Sequence, residues 1–438
     1  MFELPKYGDG VCLARMAELL DLLAIDRAWL RRVSIVVTGS NGKGSTAAFC
    51  ASIARAYGLR TGLFTSPHLF RFNERFQIDG APIGDEDLMP LAARIETSIA
   101  DVSKRRGERF GAFEAMFALA CLYFAESECE FAVFEAGIGG RFDPVRLVGA
   151  ALTCVTSVDY EHVELLGNSL ELIVSDKSDA CAAAGTIIYG ENCRGLRSHI
   201  LAYNRNRDVA SLFVGDEIRI GGEAVSSFTQ RFDVAFGDYD FRSLDTALPG
   251  AFQFNNAAIA ITLLVRWLEQ AQREAPSAAI EAAVRSGLRD TRWPGRLEVI
   301  AQDPLTVIDV GHTPDGIRQS LASLQQAFGA EGWILVVGVS VDKKSNEIAG
   351  ALAPSFDTII CTRAHHKGGD AAALAATMGK VNPQAEVHIA ATIEDAFSAS
   401  RALAASLNRK IYVAGGLFTA IEFAAVARGI CADSLNFF

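Results

Sequence analysis

The chain has 9 cysteines but no C-x-x-C pair, no surplus of basic residues, no signal-like start and no unbroken membrane-length apolar run. Each absence excludes a class. Scattered, odd-numbered cysteines without paired spacing argue against a disulfide framework or a zinc site, and read as reduced, buried thiols. A net charge of −11 argues against nucleic acid as the main partner. The opening Met-Phe-Glu-Leu-Pro-Lys has no basic-then-apolar pattern, so a cytoplasmic location is expected. The most apolar long stretch, 110–131, is interrupted by Glu114, Glu126 and Glu128, which suits a buried helix and strand better than a membrane span. There is no internal repeat and no low-complexity tract.

What is present is a soluble enzyme's composition. Hydrophobic residues make up 50% of 438 residues, ample for burial and too many residues for one ordinary core. Residues 33–46 read Val-Ser-Ile-Val-Val-Thr-Gly-Ser-Asn-Gly-Lys-Gly-Ser-Thr. An apolar β-branched run stops at Gly39, and a glycine-punctuated turn delivers Lys43, Ser45 and Thr46 to an alanine-rich helical pattern. Strand, Gly-rich turn, Lys, hydroxyl and helix is how a chain builds a phosphate cradle. Glycines let backbone N–H groups converge on an anion, the helix N-terminus adds its positive end, and the Lys adds a point charge. The strict P-loop spacing requires a glycine at 37, where Val37 stands, so this is a shorter variant. The bland alternative is a tight turn before a helix. The three glycines, Lys and two hydroxyls favour nucleotide binding.

Elsewhere strands and helices alternate. Strands are predicted over 32–38, 61–65, 130–135, 152–157 and 186–189, with helices near 85–100, 112–127 and 169–183. Continuous apolar strands separated by helices imply a parallel sheet covered on both faces, with ligands at the carboxyl ends of its strands. Residues 208–245 read as a small β-rich insertion, and helical pattern returns at 254–288. Pro294 and Gly295 mark a boundary. A second alternation follows, with strands over 306–309, 333–337, 358–361, 386–389 and 411–414. The expected architecture is α/β: a P-loop-type parallel-sheet domain over 1–291, then a second Rossmann-like α/β domain over 292–438.

Polar clusters lie just past several predicted strands. Glu135 precedes the glycine turn 137–140, Arg141, Phe142 and Asp143; a carboxylate there is placed to hold Mg²⁺ on a nucleotide. Past 152–157 come Asp159, Glu161 and His162, past 61–65 come Ser66, His68, Arg71, Glu74 and Arg75, and past 306–309 comes His312. Singly, each has a plain structural reading: a hydrogen-bonding histidine, an exposed loop carboxylate, a simple turn. Their shared position at strand ends makes a site.

The chain resembles the Mur ligase superfamily, specifically the folylpolyglutamate synthase/dihydrofolate synthase family. The resemblance rests on Gly39–Thr46, Ser66-Pro-His-Leu69 with Asn73-Glu-Arg75, Phe113-Glu114, Phe134 to Asp143, Leu248 to Asn256, Trp293-Pro-Gly-Arg296, Asp309 to Pro314, and Asp342-Lys343, in order. It implies an ATP-dependent amide ligase that forms an acyl phosphate from a carboxylic acid, of pterin type or other, and joins it to an amino acid, usually glutamate. By resemblance, Asn41, Gly42, Lys43, Gly44, Ser45, Thr46, Asn256, Arg296 and Asp309 contact ATP, and Ser66, Glu135 and His162 hold Mg²⁺. His312 sits near the transferred phosphate. His68, Arg75, Phe113, Glu114, Phe142, Asp143 and Arg146 line the acid substrate's site. Lys177 aligns with a lysine that the superfamily carbamylates, and reads equally well as a solvated helix charge. K⁺ is a further candidate ion, the amino acid is assigned to the C-terminal domain, and a monomer is expected.

Departures fall mainly on the acceptor side. The family's Asp-Ala-Thr-Asn is here Asp143-Pro144-Val145-Arg146, its Asp-His is Glu161-His162, and its His-Asn-Pro is His312-Thr313-Pro314. Its Phe-Glu followed by Thr is Phe113-Glu-Ala-Met-Phe117. Arg146 brings a charge that favours an anionic group. Two alternatives therefore stand: a related ligase acting on a non-folate acid, and a catalytically silent nucleotide-binding protein.

Overall fold

The apolar run before Gly39 forms strand β1 (Ser34–Thr38), every residue of it buried. The computed structural model describes residues 4–5, 8–10, 13–225, 230–273, 276–341, 343–435 and 437. The landmark residue Asp342 and most of the first six residues lie outside this set.

The strands β2 (Thr61–Phe64), β3 (Phe76–Ile78), β4 (Ala81–Pro82), β5 (Phe131–Glu135), β6 (Leu152–Val155), β7 (Thr186–Tyr189) and β8 (Ala210–Phe213) join β1 in one sheet. Its order is β4-β3-β2-β5-β1-β6-β7-β8, parallel from β2 to β8, with β3 and β4 as an antiparallel edge. β1 lies between β5 and β6, pairing Val37 with Glu135 and with Cys154. The turns after β1, β5 and β6 therefore emerge side by side, which is where an open parallel sheet binds its ligand. Helices cover both faces. Lys43–Ala56 and Phe252–Gln270 bury one apolar cluster with Ile35, Val37, Phe131 and Val133. Ala112–Glu126 and Asp85–Arg106 bury another with Val36, Phe64 and Phe134.

Strands β9 (Arg219–Val225), β10 (Gln230–Phe236) and β11 (Tyr239–Asp245) form a small antiparallel sheet, so the β-rich insertion is present. The segment predicted as insertion also includes β8, which extends the main sheet instead. Two boundaries move inward. Arg32 and Val33 end a helix, Arg27–Val33, whose N-cap Asp26 accepts the Ala28 and Trp29 N–H groups. β6 stops at Val155; just past it the Thr156 N–H still bonds the Thr38 carbonyl, while the Thr156 and Ser157 hydroxyls bond that of Asn41.

The second sheet comprises β12 (Glu298–Gln302), β13 (Leu305–Ile308), β14 (Trp333–Val337), β15 (Thr358–Cys361), β16 (Glu386–Ile389) and β17 (Lys410–Ala414). Its order is β12-β13-β17-β14-β15-β16, with β12 antiparallel and the rest parallel. Five of its strands match the sequence reading; β12, half-buried on the edge, was not foreseen. Among the described residues every cysteine is free and all but Cys431 are buried. No described helix is long and apolar enough to cross a membrane.

Candidate active site

Lys43 opens the helix Lys43–Ala56, and Gly42 before it has φ 87°, a conformation that favours glycine. The glycine is also required sterically: a Cβ at Gly42 would stand 2.5 Å from Asn256 Oδ1, and one at Gly44 2.7 Å from the Trp293 ring. The turn is braced from β6. Asn41 N–H donates to Ser157 Oγ (2.8 Å), Thr156 Oγ1 donates to Asn41 O (2.6 Å), and Ser40 Oγ receives the Asp159 N–H (3.0 Å). Lys43 Nζ folds back onto the carbonyls of Gly39 (2.8 Å) and Ser40 (3.2 Å). Ser45 Oγ receives a bond from Gln253 Nε2 (3.4 Å), and Gln253 Oε1 in turn accepts one from Asn256 (2.9 Å). Thr46 Oγ1 is buried without a partner among the described residues.

Glu135, at the tip of β5, is buried; its Oε2 accepts the Ser66 N–H at 3.0 Å. Burial raises its carboxyl to about 7, against the opposing pull of Lys43, the Ser66 amide, Arg296 and Arg75. Glu161 goes the other way. Burial disfavours its charge, but Lys43 and Lys177 together hold it down to about 2. Lys177 is buried and donates to Glu161 Oε1 at 2.5 Å, so it is no solvated helix charge. His162 caps the short helix Val163–Leu166 at φ 45°. Desolvation and the Lys343, Lys43 and Lys177 charges lower it, with Glu161 opposing. Among the described residues no group of three or more His, Cys, Asp or Glu is gathered for a metal.

The second sheet supplies the opposite wall. Asp309 is buried: Oδ1 accepts Gly311 N–H (2.8 Å) and Ser320 Oγ (2.9 Å), and Oδ2 accepts Leu297 N–H (3.2 Å). It organises its own loop rather than presenting a free carboxylate. His312 keeps an exposed face, and the surrounding protein, then Lys343 and Arg296, lower it below the ordinary histidine range, so it is a neutral imidazole near neutral pH. Arg296 lies close enough to act electrostatically on Glu135, Asp309 and His312. Thr313 Oγ1, the N-cap of Pro314–Phe328, donates to Asn41 Oδ1 at 3.3 Å and so ties the two walls together.

The residues read as acid-substrate contacts divide. His68 and Arg75 are buried and bonded to each other, Nε to Nδ1 at 2.8 Å. Phe113 packs on Phe64 (centroids 5.7 Å apart) and against Gly137, where a Cβ would come within 2.9 Å. Of these, Arg75 lies close enough to Glu135 to act on it electrostatically. Four others are engaged or placed differently. Glu114 is occupied by buried Arg15, with both oxygens at 2.9 Å, and by the Gly111 N–H it caps. Asp143 turns inward and accepts the N–H groups of Gly137, Ile138 and Val145. Phe142 is 54% exposed. Arg146 is exposed and donates to the Arg141 carbonyl. Asp143 and Glu114 are thus scaffolding for the turn and the helix. Sequence reasoning gave no individual role to Thr156, Ser157, Gln253, Trp293, Thr313 or Asp176, because their contacts join positions far apart in the chain.

The profile of the Mur ligase glutamate ligase domain matches residues 295–417. The dihydrofolate synthase/folylpolyglutamate synthase of Bacillus subtilis (strain 168) is 31% identical over 347 residues, covering 77% of each chain. The folylpolyglutamate synthase of Lacticaseibacillus casei is 30% identical over 358 residues, 82% of this chain and 81% of that protein. The solved Mycobacterium tuberculosis folylpolyglutamate synthase complexed with ADP superposes with a TM-score of 0.86 at 26% identity, covering 96% of each chain. The chain therefore belongs to the folylpolyglutamate synthase/dihydrofolate synthase family of the Mur ligase superfamily, a family of ATP-dependent ligases.

Proposed function

We propose that the chain activates a carboxylate of dihydropteroate or a (tetrahydro)folate as an acyl phosphate and joins it to the α-amine of glutamate. The observation that carries this reading is the convergence of Lys43 and buried Glu135 from one sheet with Arg296 and His312 from the other. A carboxylate is a poor nucleophile toward a phosphate bearing several negative charges, so the site must offset that repulsion. Lys43, the amides at the start of its helix, and Arg296 supply positive charge. His312 enters as a neutral hydrogen-bonding group. The acid's oxygen attacks the γ-phosphorus and ADP leaves; the amine then attacks the acyl carbon and phosphate leaves. Contributions from both sheets imply that their approach completes the site.

Ser66 and Glu135 offer oxygen donors suited to Mg²⁺, and the Ser66 N–H bond to Glu135 Oε2 keeps the two residues together. Ser66, Glu135 and His162 would hold Mg²⁺, which supplies charge neutralisation on the phosphates. A site without a protein cage fits an ion that keeps waters and phosphate oxygens as ligands. In the structure Lys177 pairs with Glu161 as an amine. Its carbamylation would set two anions face to face, so it requires a cation such as Mg²⁺ or K⁺ between them or a turned Glu161. We place the domain boundary at 291/292 and the amino-acid site in the second domain, which the match over 295–417 supports. A cytoplasmic monomer is the state proposed.

The test is phosphate release from ATP over a matrix of carboxylic acids and amino acids. Turnover with dihydropteroate or a folate plus glutamate supports the reading. Turnover only with another acid installs the non-folate ligase in its place, and none with any pair revives the silent nucleotide binder.

A further inference from the structure

The helix Leu170–Ser178 sends four consecutive side chains to four different neighbours. Ser175 Oγ lies 2.9 Å from His199 Nε2, and Ser178 Oγ lies 2.7 Å from the Tyr189 hydroxyl. Lys177 reaches Glu161. Asp176 reaches the glycine turn after Glu135: its buried Oδ1 accepts the Gly140 N–H at 2.9 Å and the Arg141 N–H at 3.3 Å. The approach leaves no room for side chains. A Cβ at Gly139 would stand 2.2 Å from Asp176 Oδ1, and one at Gly140 2.6 Å from the Lys177 carbonyl oxygen. Arg141 then closes the loop by donating to Asp179 (2.7 Å), just past the same helix.

The turn that follows Glu135 and the helix that carries Lys177 are thus one unit, joined by Asp176 within the helix and by Asp179 at its end. Its position in the chain matters, because it adjoins Lys177: any shift of the turn is passed to the Lys177–Glu161 pair. We propose that Asp176 is a positioning residue for the ligase reaction, holding the turn after Glu135 in register with Lys177 and Glu161. This rests on the reading of Glu135 and Lys43 as the reacting site. Displacement of about an ångström in such a site lowers the rate on the order of 100-fold.

The test compares Asp176→Ala, Asp176→Asn and Gly140→Ala. Asp176→Ala is expected to lower kcat by roughly 100-fold while the KM for ATP stays within about twofold, because other bonds from Thr156 and Ser157 brace the cradle. Asp176→Asn keeps an acceptor oxygen for the two amides and should recover most of kcat. Gly140→Ala leaves the Asp176 carboxylate in place but sets a Cβ 2.6 Å from the Lys177 carbonyl oxygen and 2.9 Å from that of Asp176; by pushing the turn off the helix it should reproduce the kcat loss, which keeps the test open should Asp176→Ala fail to fold. Amide hydrogen exchange should quicken at 139–142 and 160–163 in Asp176→Ala and not at 39–46. A folded Asp176→Ala with near-parental kcat overturns the proposal. So does equal loss of kcat and ATP binding in all three variants, the mark of general unfolding. The exchange arm needs no turnover, so it separates failure of the clamp from failure of the functional reading.

Discussion

Thr313 Oγ1 donates to Asn41 Oδ1 at 3.3 Å, a bond between residues 272 positions apart that links the helix cap of one sheet to the nucleotide turn of the other. The same hydroxyl accepts the Gly316 N–H at 3.1 Å. Thr313→Val removes both bonds. It should cost about 1 kcal/mol of stability through the lost cap, read by urea denaturation, and should raise the KM for ATP. Thr313→Ser should restore both. A Val variant that binds ATP as the parent does would disconnect this bond from the nucleotide site.

Lys43→Ala should leave the fold intact and slow turnover by hundreds-fold or more, the size expected for losing one charge contact to a transferring phosphate. Circular dichroism and single-turnover kinetics check the two halves. Near-parental turnover in the folded variant would take the cradle out of the mechanism.

Glu135 ties activity against stability. Burial raises its carboxyl to about 7, so the folded state binds its proton more tightly than the unfolded chain does. Its contribution is favourable below the ordinary carboxylate range and is lost as pH rises through about 7. In EDTA, Glu135→Gln should therefore melt higher than the parent at pH 8 and nearly with it at pH 5. With Mg²⁺ and substrates the same variant should be nearly inactive and require more Mg²⁺. An unchanged Mg²⁺ titration would remove Glu135 from the metal site.

The Lys177–Glu161 pair makes an asymmetric prediction. Glu161→Ala strands buried Lys177 with Lys43 facing it, and should cost on the order of 3 kcal/mol. Lys177→Met removes the buried charge itself and should cost less. Equal losses in denaturant titration would mean the pair is held mainly by the packing around it.

Much of this was legible from local sequence. Continuous, largely apolar runs marked β1, β5, β14 and β15 at nearly their observed bounds, because strands buried on both faces need apolar residues nearly throughout. The edge strand β12 was hidden because it is only half-buried and its pattern is mixed. The helix Arg27–Val33 was hidden because its last apolar residue runs straight into β1. The cradle is local: its glycines, Lys and hydroxyls are neighbours. Gln253 on Ser45, Thr313 on Asn41 and Asp176 on Gly140 are contacts made only by folding, so no spacing in the chain announces them. Asp143 misled for the opposite reason. Its position beside the glycine turn suggested a ligand, whereas the turn's own N–H groups consume its carboxylate.

The 144–146 turn separates specificity from stability. Val145 is fully buried, so Val145→Thr should cost about 1–2 kcal/mol by burying a hydroxyl. Arg146→Asn changes an exposed residue and should move stability by less than about 0.5 kcal/mol. If Arg146 faces the acid, Arg146→Asn should shift kcat/KM toward dihydropteroate with the KM for ATP unchanged. Both acids must be measured in both proteins, because specificity is a difference. No shift would leave Arg146 a surface residue of the turn.

Transfer of phosphate to the acid's carboxylate leaves its record in the fate of the carboxylate oxygen. Dihydropteroate labelled with ¹⁸O in its carboxylate is incubated with ATP, Mg²⁺, glutamate and the protein. The released phosphate is then analysed by mass spectrometry. ADP and phosphate carrying one ¹⁸O per amide formed are expected from transfer through an acyl phosphate. Amide formation with unlabelled phosphate, or with AMP and pyrophosphate instead of ADP, would contradict it.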